Sequence, residues 1–129
     1  MNTKGQILIY IVEDNFVYSF ILKSTLEENY YSKIATFTSG EECIDMLDNN
    51  PDIIILDYNL ETSLNGLESF KIIHSKKPKI PVIIISSQKD PQIAAEFLQL
   101  GAFDYIEKKS GEDAILQLKT SILKALNKW

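Results

Sequence analysis

Apolar positions along the chain keep two rhythms in alternation. Short unbroken runs, QILIYIV at 6–12, DIIILD at 52–57 and PVIIIS at 81–86, are rich in β-branched residues and too short for helices. Runs of this kind read as strands buried on both faces. Between them apolar residues return every three or four positions, the period of a helix with one face toward a core. That spacing predicts a helix over 15–29 with Phe16, Phe20, Leu22 and Leu26 as its core positions. SKIATFT at 32–38 alternates like a more exposed edge strand. Ser39 stands three residues before Glu42, a capping-box pattern opening a helix with Cys43, Ile44, Met46 and Leu47, and Asn49-Asn50-Pro51 stops it.

The second half repeats the alternation. The run 52–57 is the most apolar and therefore central; a loop over 58–65 leads to a helix over 66–76. Asp90-Pro91 reads as an N-cap followed by proline at the first helical position, for a helix running to Gly101. AFDYIE at 102–107 is a fifth strand, and Ser110-Gly-Glu-Asp113 caps a last helix reaching Trp129, with Ile115, Leu118, Ile122 and Leu126 on one face. Strand and helix alternating over short loops imply an α/β fold, a parallel sheet with helices on both faces. For five strands the expected order is 2-1-3-4-5, flavodoxin-like, with a ligand crevice where strands 1 and 3 part. The strand ends at that crevice carry Glu13 and Asp14, Asp57, Ser86 and Lys108.

Composition narrows the class. A chain of 129 residues, 45% hydrophobic and 24% charged, is one globular domain, read over 1–129. A net charge of −5 argues against general attraction to nucleic acid or an anionic membrane. The one cysteine, Cys43, excludes an internal disulfide and reads as an inert thiol in a helix of a protein from a reducing compartment. No signal-peptide pattern opens the chain and no apolar run approaches a membrane span, so the expected location is the cytoplasm. His74, beside Lys76 and Lys77, reads as a surface histidine. The chain starts at Met1 and ends directly after its last helix, as in a stand-alone regulator or a piece of a longer protein.

The residues at the strand ends suit a divalent cation and a phosphoryl group. Three carboxylates in one crevice repel one another unless a cation compensates them. Mg²⁺ fits, since it takes oxygen ligands and keeps several waters, whereas zinc would want the His and Cys that lie elsewhere. Asp57 can accept a phosphoryl group as a mixed anhydride. Such a transfer depends on charge neutralisation and alignment, for which Lys108 supplies a positive charge and Ser86 a hydrogen bond. Singly, each residue has an ordinary explanation: a capping acid pair, a strand-end hydroxyl, a solvated lysine. Their joint placement is what points to phosphoryl chemistry.

In order and spacing, these motifs resemble the receiver domain of bacterial two-component response regulators, the CheY-like fold, over nearly the whole chain. The resemblance rests on Glu13-Asp14 after ILIYIV, Asp57 in IIILDYNL, Gly66-Leu67-Glu68, Pro81-Val-Ile-Ile-Ile-Ser86 and Gly101-Ala-Phe-Asp-Tyr-Ile-Glu-Lys108. It implies that Asp57 is phosphorylated by a sensor histidine kinase or a histidine phosphotransfer protein. It also implies Mg²⁺ held by Asp14 and Asp57 directly, by Glu13 through water and by the backbone carbonyl of Asn59. Ser86 would turn toward the phosphoryl group and Tyr105 would rotate inward. The surface of the fourth helix, fifth strand and fifth helix would then be altered for a downstream protein or for a homodimer. Asn59 and Gln88 would tune the phosphoryl lifetime. The chain departs from the family pattern in three places. The loop Leu60–Asn65 lacks the usual proline and is one residue longer, Ser87 stands where alanine is common, and Lys109 replaces a proline that often follows a cis bond. Without proline a cis bond costs ~3 kcal/mol, so a trans bond is expected there.

Three other functions compete. A receiver-like scaffold would keep the acids without using phosphorylation. A phosphatase of the aspartyl-phosphate type would need an acid two residues after Asp57, where Asn59 stands. A flavin carrier would need a glycine-rich phosphate loop after the first strand, where Asp14-Asn15-Phe16 stands. No enzyme activity is expected beyond self-catalysed acceptance and loss of the phosphoryl group.

Overall fold

The computed structural model describes residues 7–29, 32–88, 90–108 and 112–127. Five strands, β1 (Ile7–Val12), β2 (Ser32–Phe37), β3 (Ile53–Asp57), β4 (Val82–Ser86) and β5 (Asp104–Glu107), form one sheet in the order β2-β1-β3-β4-β5. Every pairing is parallel. Between them run α1 (Phe16–Asn29), α2 (Gly40–Asp45) with a 3₁₀ turn at Leu47–Asn49, α3 (Gly66–Lys76), α4 (Pro91–Gln99) and α5 (Glu112–Leu126). The expected α/β order is therefore the observed one, with β3 in the middle and all five of its residues buried.

Side chains along the central strands alternate between two cores because successive Cβ atoms point to opposite faces. Tyr10, Val12, Ile54, Leu56, Val82 and Ile84 pack with Cys43, Phe70, Ile73 and Phe97 from α2, α3 and α4. Ile9, Ile11, Ile53, Ile55, Ile83 and Ile85 pack with Leu22, Leu26, Leu118 and Ile122 from α1 and α5. The helix starts are set by side-chain chemistry. Asn15 Oδ1 accepts from the Tyr18 N–H (3.0 Å) and Asp90 Oδ1 from the Gln92 N–H (3.0 Å) and Ile93 N–H (3.2 Å). Asn65 and Glu68 form a reciprocal capping box at α3. At α2 the Ser39 hydroxyl accepts from the Glu42 N–H, while the Glu42 carboxylate accepts from the backbone and hydroxyl of Thr38.

Three expectations need correction. Phe16 and Phe20 are not core residues; they are 80% and 63% exposed, while Leu22 and Leu26 are buried. At about 100° per residue, Phe16 and Phe20 share a stripe roughly 120° around α1 from that of Leu22 and Leu26, so one core cannot take both. The helix expected through Leu47 ends at Asp45, and Met46 is exposed. The buried phenol of Tyr10 donates to the Met46 carbonyl (2.6 Å), which accompanies the switch to a 3₁₀ turn. His74 is half-buried, not a freely solvated surface side chain. Its ring stacks on Phe70 (5.4 Å between centroids), and a Cβ on Gly101 would come within 2.6 Å of its Nε2. Gly101, at φ +111°, closes the turn into β5 against that ring. Cys43 is fully buried, and burial pushes its thiol up to about 12, in keeping with an inert group. The Ser110 cap, Lys109 and Trp129 lie outside the described residues.

Gly66 sets how closely α3 approaches the end of β3. A Cβ there would lie 2.6 Å from the Tyr58 Cα and 2.7 Å from the Asp57 carbonyl oxygen, both rigid backbone. Gly66→Ala is therefore expected to lower stability by about 1–3 kcal/mol in a urea melt. An unchanged midpoint would contradict this close approach.

Candidate functional site

The parallel register carries the chemistry-bearing residues to one edge of the sheet. Val12 is level with Leu56, so Glu13 and Asp14 leave β1 beside Asp57 at the end of β3. Asp57 is level with Ile85, and Ser86 with Glu107. Backbone bonds continue past the strand ends: Glu13 N–H to the Phe37 carbonyl (2.9 Å), Tyr58 N–H to that of Ile85 (2.8 Å), and Lys108 N–H to that of Ser86 (2.6 Å). The side chains are thus aimed from a continuous ladder, not from free loops.

A carboxylate oxygen from each of Glu13, Asp14 and Asp57 lies within 4.8 Å of the other two. Glu13 and Asp57 are each 1% exposed. Lys108 reaches over from the end of β5, its Nζ 2.5 Å from Glu13 Oε1 and 3.3 Å from Asp57 Oδ1. The same ammonium sits 4.6 Å from the centroid of the Tyr18 ring. Backbone donors add to this hold: Asn15 N–H on Glu13 Oε2 (3.0 Å), Asn59 N–H on the same Asp57 Oδ1 (3.0 Å) and Glu61 N–H on Asp14 Oδ2 (2.9 Å).

Among the described residues, three carboxylates cluster and the Lys108 ammonium pairs with two of them, which leaves the site short of positive charge. Burial pushes the Glu13 carboxyl up to about 7; the hydrogen bonds from Lys108 and Asn15 oppose that rise, and the charge of Asp57 adds to it. Tyr18 is pushed up to about 12 by burial and by the charges of Glu13 and Asp57. Receiver domains bind Mg²⁺ at an acidic pocket, and this donor set fits such an ion: all oxygen, short of positive charge, with Asp14 the most open of the three. Cys43 and His74 are built into the α2 and α3 packing and offer no softer ligand here.

A second group of residues lies on the β4 side. Ser86, fully buried, places its hydroxyl 3.4 Å from Asn59 Oδ1 and accepts from the Gln88 N–H (3.0 Å). The Tyr105 hydroxyl donates to the Gln88 carbonyl (3.2 Å), and its half-buried ring lies 6.1 Å from that of Phe97. Burial raises the Tyr105 phenol, with the Ser86 hydroxyl pulling the other way. The structure thus brings together the residues expected at the site: Glu13, Asp14, Asp57 and Lys108 in one cluster, Ser86, Asn59, Gln88 and Tyr105 in the next. Sequence reasoning missed Tyr18, whose position on the first turn of α1 carries no compositional cue. It also missed the Asn65–Glu68 capping box, which the N-x-x-E spacing could have revealed, and the hold of Glu61 and Ser87 on Asp14 and Asn59.

With this geometry established, likeness to known proteins identifies the class. Residues 9–119 match the response regulator receiver domain family, and the chain belongs to it. The protein-glutamate methylesterase/protein-glutamine glutaminase of Clostridium acetobutylicum is 31% identical over 125 residues, covering 94% of this chain and 36% of the relative. The chain likewise spans only a quarter to a half of the other curated relatives it matches, such as NtrC of Klebsiella pneumoniae at 24% and LnrK of Bacillus subtilis at 51%. Among solved structures, the response regulator domain of Thermotoga maritima CheB superposes with a TM-score of 0.76 at 27% identity, covering 95% of this chain and 94% of that one. The chain is therefore a receiver of the two-component type with a CheY-like fold. No helix among the described residues is long and apolar enough to cross a membrane.

In protein free of divalent cations, carboxyl-detected NMR is expected to find Glu13 titrating near pH 7, not near 4.3. Because the folded value is raised, the stability linked to this group is present below pH 4.3 and is lost as pH rises through 7. Asp57→Asn removes one cause and should lower the Glu13 midpoint. A wild-type midpoint in the ordinary carboxylate range would contradict the buried, crowded site.

Proposed function

We propose that this chain is a phosphorylation switch: Asp57 accepts a phosphoryl group from a phosphohistidine on a sensor kinase or phosphotransfer protein, and the change is read on the α4–β5–α5 face. The observation that carries the reading is the ammonium of Lys108, shared by two buried carboxylates, one of them Asp57. The Asp57 carboxylate oxygen attacks phosphorus in line, the P–N bond breaks as the P–O bond forms, and the imidazole leaves with the electron pair and takes up a proton. Glu13, Asp14 and Asp57, with the Asn59 carbonyl, are the residues that would hold Mg²⁺. When bound, that ion offsets charge on the phosphoryl oxygens. Lys108 is positioned to swing from Asp57 to one of those oxygens, and the Ser86 hydroxyl to donate to another.

Further features support this reading. Phe16, Val17, Phe20 and Ile21 form an exposed apolar stripe on α1, directly after Glu13-Asp14. A groove of about 220 Å³ between α1 and β2, lined by Phe16, Phe20 and Phe37, opens onto Glu13. A donor protein seated on that stripe would bring its phosphohistidine to Asp57, so we assign the α1 face to the donor. On the other side, a groove of about 370 Å³ between β5 and α5 is lined by Tyr105, Leu116, Thr120 and Lys124, the face we assign to the downstream partner. Asn59, two residues after Asp57, is an amide with no acidic proton, which disfavours a phosphatase with turnover. The same reading makes the chain one receiver domain of the cytoplasm, binding neither nucleic acid nor membrane.

Intact-mass measurement after incubation with acetyl phosphate tests the proposal. The expected result is a gain of one phosphoryl group that requires Mg²⁺ and is absent in Asp57→Asn. An identical gain in Asp57→Asn would overturn the assignment of the acceptor.

A further inference from the structure

Lys108 reaches across the end of the sheet. Its backbone N–H is bonded to Ser86 at the end of β4, yet its ammonium passes β3 to meet Glu13 at the end of β1. Holding so long and flexible a stem in one place costs conformational entropy. Two ionic contacts, to Glu13 Oε1 and Asp57 Oδ1, offset that cost. Both come from carboxylates that would also hold Mg²⁺, so a divalent cation competes with the ammonium for the same oxygens. A phosphoryl group on Asp57 would occupy one of those oxygens as well. The ion pairs are therefore weakest at the moment the ammonium is needed.

A third contact does not depend on the acids. The ammonium lies 4.6 Å from the centroid of the Tyr18 ring, within reach of the electron-rich face. The Lys108 side chain is 15% exposed, and the ring covers a side of the ammonium that water would otherwise reach. The ring is itself well placed to stay there. The Tyr18 N–H donates to Asn15 Oδ1 (3.0 Å) in the first turn of α1, and the side chain packs against the core beneath α1 and α5. Leucine would fill much of the same space against that core, but it has no face that attracts a cation.

We propose that Tyr18 is a positioning residue for Lys108: its ring face keeps the ammonium at the crevice when Mg²⁺ and an anion take over the carboxylates. The inference rests on Asp57 being the acceptor and adds a residue of α1 to the groups that prepare the site for phosphoryl oxygens. The ring itself touches no phosphoryl oxygen. It acts through the ammonium, as a pivot on which Lys108 turns from Asp57 toward the incoming oxygen.

The test reads the position of Lys108 and the binding of an anion separately. Protons above an aromatic ring resonate upfield, so the ε-methylene signal of Lys108 in ¹³C-lysine protein, assigned by its loss in Lys108→Arg, reports the ring contact. That signal should lie upfield in wild type and in Tyr18→Phe, with or without Mg²⁺, and at its ordinary position in Tyr18→Leu. Beryllium fluoride, a phosphoryl stand-in titrated in saturating Mg²⁺, should bind roughly three- to tenfold weaker in Tyr18→Leu and nearly unchanged in Tyr18→Phe. Pentafluorophenylalanine in place of Tyr18 keeps an aromatic shape but withdraws charge from the ring face, and should weaken binding as Tyr18→Leu does. If the upfield shift disappears from wild type on adding Mg²⁺, or if Tyr18→Leu and the fluorinated ring both bind the anion like wild type, the role of Tyr18 is wrong and the acceptor reading stands. If wild type keeps the upfield shift but binds no beryllium fluoride, the acceptor reading fails, and the role of Tyr18 in meeting a phosphoryl group fails with it.

Discussion

The structure turns on an electrostatic conflict that the fold imposes and only partly resolves. Parallel strands end together, so the register that packs Ile11, Ile55 and Ile85 also delivers Glu13, Asp14 and Asp57 to one place. Burial raises the energy of each charge, and each carboxylate raises that of its neighbours. Lys108 answers two of them, held by its own backbone bond to Ser86 and by the face of Tyr18. What remains is an excess of negative charge aimed outward, with every ligand an oxygen. Oxygen ligands short of positive charge are the setting that suits a small divalent cation.

The rest of the molecule holds that site in place. The two aliphatic cores on either side of the sheet are closely packed and fix the strand tips. The loop after β3 and the turn after β4 are joined by the hydrogen bonds from Ser87 to Asn59. Tyr105 stands where the two meet the surface: its hydroxyl belongs to the turn, its ring to the α4 packing around Phe97, and its edge to the groove beside α5. Phe97 also contacts Phe70 and Tyr58, so α3, α4 and the loop beside Asp57 share one aromatic junction. Packed rings thus run from the loop beside Asp57 through Phe97 to Tyr105 on β5.

Much of this was legible in the amino-acid sequence because each β-branched run marks a strand, and the polar residues at its C-terminal end are the ones that face the crevice. The order of the strands came from alternation and short loops. The acids, Ser86 and Lys108 came from their places at the ends of those runs. The helix faces were harder to read. Phe16 and Phe20 count as apolar in any periodicity, yet their angular position on α1 sets them apart from Leu22 and Leu26, and only the angle separates core from surface. Just past the end of α2 the Met46 carbonyl accepts a long-range bond from Tyr10, and His74 packs beside Gly101 from a different element. Neither leaves a local trace. The hold of Ser87 on Asn59 spans two loops that the sequence could name but not bring together.

Three clustered carboxylates, two of them paired with Lys108, make a site short of positive charge, and calorimetric titration with Mg²⁺ tests that most directly. The expected result is one Mg²⁺ per chain, binding at least about tenfold weaker in Asp14→Asn and in Asp57→Asn, and no weaker in Lys108→Ala, where a competing positive charge is gone. Binding that is absent in wild type, or unaffected by removing either aspartate, would contradict it.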